Sequence, residues 1–188
     1  MWLFGAMGIH ASAVVGSALA LVAALGCSSI DADPRILTGT LLVDQEFDAT
    51  QRAAIRAAVE RWSDATAGWF APSLTVGEVA CGQPFAIEAV HAEGCHVGQR
   101  VDGDDDTVRV LGAVDRGAHW VSVVTWLEGS SFLDNVAHEL GHYMLIGHGD
   151  GIMAQAREGQ EARITEETVR EFCAIWSCEP GTPPGARR

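Results

Sequence analysis

The stretch His138-Glu139-Leu140-Gly141-His142-Tyr143-Met144-Leu145-Ile146-Gly147-His148 carries the pattern that decides the fold. An α-helix repeats every 3.6 residues, so His138 and His142 lie one turn apart on one face and can bind one metal ion. Glu139 lies beside them, where a carboxylate can act on water without being a ligand. His148 is too far along a straight helix to reach the same ion. The chain is therefore expected to fold back, and Gly147 is predicted to permit that turn.

Three histidine ligands are typical of catalytic zinc, because such sites keep one coordination position open. The pattern predicts that His138, His142 and His148 hold Zn²⁺ and that Glu139 is the general base. A tighter turn would make Asp150 the third ligand instead. A glutamate from a later helix is a further alternative, and the candidates are Glu161, Glu166 and Glu167.

These residues resemble the signature of the metzincin zinc peptidases, H-E-x-x-H-x-x-G-x-x-H followed by a Met-turn. The segment Gly151-Ile152-Met153 is similar to that Met-turn. The resemblance implies that Met153 lies beneath the metal as an apolar floor and is not a ligand. One position departs from the family pattern, because the glycine expected three residues after the second histidine is Leu145. This departure implies either a longer helix or a turn that is built differently.

The resemblance implies a single α+β domain of zincin-like fold. Its parts are a small twisted mixed sheet, a backing helix, the HExxH helix and a short C-terminal subdomain with the Met-turn. Side-chain patterns predict strands at residues 36–43, 74–76, 85–90, 108–111 and 120–126. In zincins an edge strand above the metal pairs with an extended substrate, and residues 107–111 and 119–127 are the two candidates for it.

Helix boundaries follow from capping residues. Asp48 or Thr50 is predicted to begin the backing helix, which runs to about residue 66 and resembles the first helix of matrixin-type catalytic domains. The HExxH helix is expected to begin after Ser130 or Ser131, with Asp134 at the capping-box position. A last helix is expected to follow Thr165 and to end near Trp176.

The first thirty residues contain no charged side chain. The apolar run over residues 11–26 predicts an export signal, and Gly26-Cys27 resembles a bacterial lipobox, so residues 1–27 form the predicted signal peptide with Cys27 lipidated. A cleaved secretory signal and an uncleaved anchor are the alternatives, and all three place the domain in the cell envelope or outside the cell. A tether over 28–35, the catalytic domain over 36–178 and a flexible Pro/Gly-rich tail over 179–188 complete the chain.

The chain is acidic, with a formal net charge of −13 and no lysine. Such a surface argues against nucleic acid and anionic membranes as partners. The expected partner is a peptide or protein substrate, with membrane contact only through an N-terminal lipid or anchor. The protein is expected to be a monomer.

Cysteine usage agrees with export. With Cys27 set aside, four cysteines remain, and we expect the disulfides Cys81–Cys95 and Cys173–Cys178 among the three possible pairings. The alternative for Cys81 is a role like the cysteine switch of latent matrix metallopeptidases, since Cys81-Gly82-Gln83-Pro84 resembles that motif.

Residues 102–106 are predicted to form a solvated acidic loop, because they lack the glycine and the terminal glutamate of an EF-hand. The alternative is a Ca²⁺ site, because Asp102, Asp104 and Asp106 alternate and calcium takes oxygen ligands. The remaining histidines of the domain, His91, His96 and His119, are lone residues and are not assigned to the site.

Together these features predict a zinc-dependent endopeptidase that hydrolyses peptide bonds of extracellular proteins or peptides. One alternative is an exported zinc amidase that acts on cell-wall peptide. Another is a catalytically silent binding protein with the zincin fold. Glu139 speaks against the silent protein, because a structural zinc site has no use for that carboxylate.

Overall fold

The computed structural model describes residues 33–90, 112–116, 119–154 and 162–186. Over these residues the chain is an α+β domain with helices and one five-stranded, mostly parallel sheet. The helices are α1 Arg35–Thr38, α2 Ala49–Ala65, α3 Gly129–Tyr143 and α4 Glu166–Trp176, with a 3₁₀ turn at Gly151–Met153. The strands are β1 Thr40–Asp44, β2 Ser73–Gly77, β3 Ala86–Val90, β4 Gly112–Asp115 and β5 Trp120–Val124. None of the described helices is long and apolar enough to cross a membrane.

The sheet has the strand order β2-β1-β3-β5-β4. Strands β2, β1, β3 and β5 are mutually parallel, and β4 runs antiparallel to β5. The sheet is therefore mixed, as predicted. The strand in 119–127 is not an edge strand, because β5 is hydrogen-bonded to both β3 and β4. The alternative edge segment, 107–111, lies outside the described residues and ends just before β4.

Helices α2 and α3 lie on one face of the sheet, and the core lies between this face and the two helices. Helix α2 begins at the predicted cap, where Asp48 and Gln51 form a capping box. Its buried residues are Ile55, Ala58, Val59 and Trp62. The indole nitrogen of Trp62 donates to the carbonyl of Ala137 at 2.7 Å, so the two helices are hydrogen-bonded inside the core.

Two predicted boundaries are wrong. The strand expected over 36–43 begins only at Thr40, because Pro34 has a helical φ of −60° and the Asp33 side chain accepts a hydrogen bond from the Arg35 amide. These contacts turn residues 35–38 into the short helix α1. Helix α3 begins at Gly129 after Glu128, with no side-chain cap. Ser130 and Ser131 therefore lie inside the helix, and Asp134 pairs with Arg61 at 2.8 Å instead.

The C-terminal part of the domain is closed by a disulfide bond. Cys173 and Cys178 are bonded, as predicted, at the end of α4, which is capped by Thr165. Cys81 is also disulfide-bonded, so its sulfur is not available as a metal ligand. Its expected partner Cys95 lies outside the described residues, so that pairing stays a prediction. The acidic loop over residues 102–106, His91, His96 and residues 1–32 also lie outside the described residues, so what was predicted for them stays a prediction.

The predicted tail after α4 contacts the rest of the domain. The indole nitrogen of Trp69 donates to the carbonyl of Thr182 at 2.7 Å. The flexibility expected of residues 179–188 stays a prediction.

Two buried carboxyl groups lie on the sheet face opposite α2 and α3. They are Asp44 on β1 and Glu88 on β3. The two residues lie on adjacent strands, because the residues just before them, Val43 and Ile87, are paired in the sheet. Both Asp44 oxygens accept backbone amides, from Glu46 and Ala89. One Glu88 oxygen, Oε2, has no partner among the described residues. Burial raises the pKa of Glu88 above its ordinary value of 4.5, and the nearby Asp44 charge adds to the effect.

We predict that the Glu88 carboxyl makes the domain less stable as the pH rises. A raised folded-state pKa contributes stability that is complete below 4.5 and is lost as the pH rises through the folded value. Glu88→Gln removes this proton linkage, so its Tm should fall less than that of the wild type between about pH 5 and about pH 8. The exposed Glu78→Gln is the matched control. If the Tm of the wild type, of Glu88→Gln and of Glu78→Gln falls by the same amount over this pH range, the prediction is contradicted.

Candidate metal centre

Helix α3 carries the first two predicted ligands. His138 and Glu139 are buried, whereas His142, one turn later, is half-buried. Gly141 lies between the histidines and allows the helix to be approached closely. A Cβ atom at position 141 would lie 2.3 Å from the sulfur of Met153 and 3.1 Å from the indole of Trp62. Helix α3 is therefore packed directly against Met153 at the position between the two histidines.

A left-handed turn ends α3 and returns the chain toward the histidines. The amide of Ile146 donates to the carbonyl of Gly141 at 3.0 Å, and the amide of Leu145 donates to that of His142 at 2.9 Å. This pair of bonds is the Schellman motif, which requires a positive φ at the residue after the C-cap. That residue is Leu145, with a φ of +72°. Leucine thus adopts the conformation that usually belongs to glycine.

The prediction that Gly147 makes the turn is wrong. Gly147 is not among the glycines with positive φ, and the chain has already reversed two residues earlier. Having leucine instead of glycine at position 145 does not lengthen the helix, because Met144 is already the C-cap. The cost of a left-handed leucine is about 1–2 kcal/mol, which the two turn hydrogen bonds and the burial of Ile146 offset.

Two backbone carbonyls orient the imidazole rings of α3. Nδ1 of His138 lies 2.7 Å from the carbonyl oxygen of Ile152, in the 3₁₀ turn Gly151–Met153 that is the candidate Met-turn. Nδ1 of His142 lies 2.9 Å from the carbonyl oxygen of Ile146, in the Schellman turn. A carbonyl oxygen only accepts, so each Nδ1 carries a hydrogen and donates it. A neutral ring then presents the lone pair of its Nε2, which is the tautomer that metal ligands use.

The three predicted histidine ligands converge through their Nε2 atoms. Nε2 of His142 lies 3.1 Å from Nε2 of His138 and 3.1 Å from Nε2 of His148. All three ligand atoms lie within 4.8 Å of one another, and no other such group of histidine, cysteine and acidic side chains occurs among the described residues. Two Nε2 lone pairs of neutral rings cannot hydrogen-bond to each other, so a cation between them is the partner that suits them.

The geometry fits a tetrahedral zinc ion. Zinc binds imidazole nitrogen at about 2.0–2.1 Å, and tetrahedral angles then put two ligand nitrogens about 3.3 Å apart. The observed 3.1 Å is close to that separation. Exposure increases from His138 to His142 to His148, so one side of the group faces solvent. Three ligands with an open side are the arrangement of catalytic rather than structural zinc.

The alternative third ligands are not part of this group. The Asp150 carboxylate accepts a hydrogen bond from the Thr165 hydroxyl at 2.8 Å. Glu166 and Glu167 lie in the first turn of α4, and Glu161 lies outside the described residues. His119 is likewise outside the group, and its ring stacks on Phe85 with 5.6 Å between the ring centroids. His148 is therefore the residue that the structure brings to the two helix histidines.

The edge strand β4 contacts the centre at two points. Gly112 lies directly against the side chain of Glu139, which is only 6% exposed. Arg116, which follows β4, donates through Nη2 to the carbonyl of Ile146 at 3.1 Å. That carbonyl therefore accepts both a guanidinium and the Nδ1–H of His142.

Helix α4 holds the loop that carries His148. The Glu171 carboxylate accepts the amide of Gly147 at 2.9 Å, and the Trp176 indole donates to the carbonyl of Met144 at 3.0 Å. The amide of Gly149 donates to the carbonyl of Met153 at 3.0 Å. These bonds fix the backbone on both sides of His148, which is the most exposed of the three ligands.

Several of the residues around the candidate site were not predicted from the sequence. Gly112 and Gly141 carried a usable signal, since a glycine inside a strand or helix often marks a close approach. Arg116 and Glu171 carried none, because each acts through a backbone group that is distant in the chain.

Comparisons with known proteins assign no family. No family model and no curated protein matches the chain. Among solved structures, the chain is similar to the crystal structure of archaemetzincin from Methanopyrus kandleri, with 9% sequence identity and a TM-score of 0.49. The match covers 74% of this chain and 95% of that one. A similarity this low leaves the chemistry to be judged from the site itself.

Substitutions at Leu145 test the turn. Leu145→Gly should stay within about 1 kcal/mol of the wild-type stability, because relief of the left-handed strain offsets the lost side chain. Leu145→Val should lose about 1–3 kcal/mol, because a β-branched residue is strongly disfavoured at positive φ. Urea unfolding measures the stabilities, and chelator competition measures Zn²⁺ affinity, which only the valine variant should lower. Equal stability of the two variants would refute the turn assignment.

Substitutions at Glu171 test the support of His148. Glu171→Ala removes the acceptor of the Gly147 amide and should weaken Zn²⁺ binding by about 10-fold, as is typical for groups that orient metal ligands. Glu171→Gln keeps an oxygen acceptor and should restore most of the affinity. Chelator competition measures both. If the glutamine variant is as weak as the alanine variant, the acidic charge and not the hydrogen bond is responsible.

Proposed function

We propose that this protein is a zincin-like zinc peptidase that hydrolyses peptide bonds in proteins or peptides. The observation that carries the proposal is the convergence of three Nε2 atoms whose rings on α3 are oriented by backbone carbonyls. His138, His142 and His148 would hold the ion, and Met153 would lie beneath it. Zinc, when bound, supplies an activated water nucleophile and polarises the substrate carbonyl.

Glu139 is the proposed general base. It follows the first ligand on α3, so it lies beside the metal group without belonging to it. Its side chain is buried and lies directly against Gly112 of β4. In this role the carboxylate accepts the proton of the attacking water and later gives it to the leaving amine.

The proposed substrate-binding element is β4. It is an edge strand of the sheet, and within the described residues its outer side has no strand partner. An extended peptide can add to such an edge through backbone hydrogen bonds, with little demand on its side chains. Two contacts support this role: Gly112 of β4 lies against Glu139, and Arg116, just after β4, donates to the Ile146 carbonyl.

The proposed place of action is the cell envelope or the extracellular medium. Support comes from the apolar, uncharged N-terminal segment and from the Cys173–Cys178 disulfide, since disulfides persist in oxidising compartments. The partner is then a peptide or protein substrate, and the lipid on Cys27 is part of the same proposal.

The proposal predicts a clear separation of metal binding from turnover. Glu139→Gln should keep one Zn²⁺ per chain and lower kcat by about 10²–10⁴-fold, because only the base is lost. Glu128→Gln, at the exposed start of the same helix, is the matched control and should retain wild-type activity. Metal analysis and cleavage of a peptide library measure the two properties. Wild-type turnover in the Glu139→Gln variant would exclude Glu139 as the base.

The choice of substrate separates the proposal from its rivals. Cleavage of casein, gelatin or library peptides supports the peptidase, whereas hydrolysis of purified peptidoglycan alone supports the amidase. A zinc-loaded wild-type protein that cleaves none of them is a binding protein.

A further inference from the structure

We propose that Gly112 is a positioning residue, whose missing side chain lets the edge strand β4 hold the Glu139 carboxylate in its working position. The inference rests on the proposed function, because it concerns the carboxylate that acts as general base there. It goes further in assigning a role to a strand residue that has no reactive group of its own.

The contact between position 112 and Glu139 leaves no room for a side chain. A Cβ atom on Gly112 would lie 2.6 Å from Cγ, 2.8 Å from Cδ and 2.8 Å from Oε1 of Glu139. Carbon atoms in contact prefer separations of about 3.5–4.0 Å. Gly112 is not among the residues with positive φ, so alanine suits its backbone. The three atoms nearest to such a Cβ atom all belong to the Glu139 side chain.

Neither element can easily move away from the other. Strand β4 is paired with β5 at four positions, from Gly112 with Val123 to Asp115 with Trp120. Its far end is held by the hydrogen bond from Arg116 to the Ile146 carbonyl. Helix α3 is held by the bond from Trp62 to Ala137. The part that can yield is therefore the Glu139 side chain, and its carboxylate would be displaced from its present position.

A purely structural role for Gly112 predicts the opposite result. Glycine within a strand is unfavourable because it loses more conformational freedom on folding than other residues. If only the strand mattered, alanine at position 112 would leave the protein equally or more stable and fully active.

The test is a double-mutant cycle between Gly112→Ala and Glu139→Ala, measured in kcat, KM and Zn²⁺ affinity. Gly112→Ala should lower kcat by about 10²-fold with KM and Zn²⁺ affinity unchanged, because a displacement of about 1 Å is enough for such a loss. In the Glu139→Ala background it should have no effect on the residual rate. Gly77→Ala on the other edge strand is the matched control, since its Cβ meets only the flexible end of Leu42 at 3.1 Å.

Thermal unfolding gives a readout that does not depend on activity. Gly112→Ala should lower the Tm by several degrees in the wild-type background and not in the Glu139→Ala background, where the added methyl group has space. A wild-type protein without activity would refute the proposed function, while this thermal cycle still tests the contact. The inference is overturned if Gly112→Ala matches the wild type in rate and Tm, if it lowers kcat equally in both backgrounds, or if it lowers Zn²⁺ affinity.

Discussion

The hydrogen bonds from the two α3 imidazoles to backbone carbonyls are the constraint on which the rest of the site depends. They set the tautomer of His138 and His142, and so they decide that both Nε2 lone pairs point at the same place. Each acceptor belongs to a turn, one to the Met-turn and one to the end of α3. The two turns therefore orient the α3 imidazoles of the candidate metal centre through backbone carbonyls alone.

Packing then fixes where the two turns lie relative to α3. Met153 and Trp62 occupy the space that a side chain at Gly141 would fill, so the Met-turn and α2 both touch the helix backbone between the histidines. Helix α4 adds the hydrogen bonds of Glu171 and Trp176 on the side of His148. His148, the most exposed of the three histidines, is thus held through backbone hydrogen bonds of its loop rather than by burial.

Sequence reasoning succeeded where a short segment determines its own geometry. The helix spacing of His138 and His142 and the cap at Asp48, one of the two candidates, depend on neighbouring residues. It failed where a distant partner decides. Asp134 pairs with Arg61 instead of capping α3, and the edge strand is β4 because of how β5 pairs. The misplaced turn at Gly147 has another cause, since a leucine adopted a backbone conformation for which its own propensity gives no warning.

The left-handed leucine at position 145 also bears on how relatives of such a protein are found. Its backbone adopts the left-handed conformation that glycine adopts most easily, and Nε2 of His148 lies 3.1 Å from Nε2 of His142 beyond the turn. A motif search that demands glycine at this point would reject the chain over one letter while every ligand is present. A search written in terms of dihedral angle and histidine spacing would keep it, because the positive φ is present without the glycine.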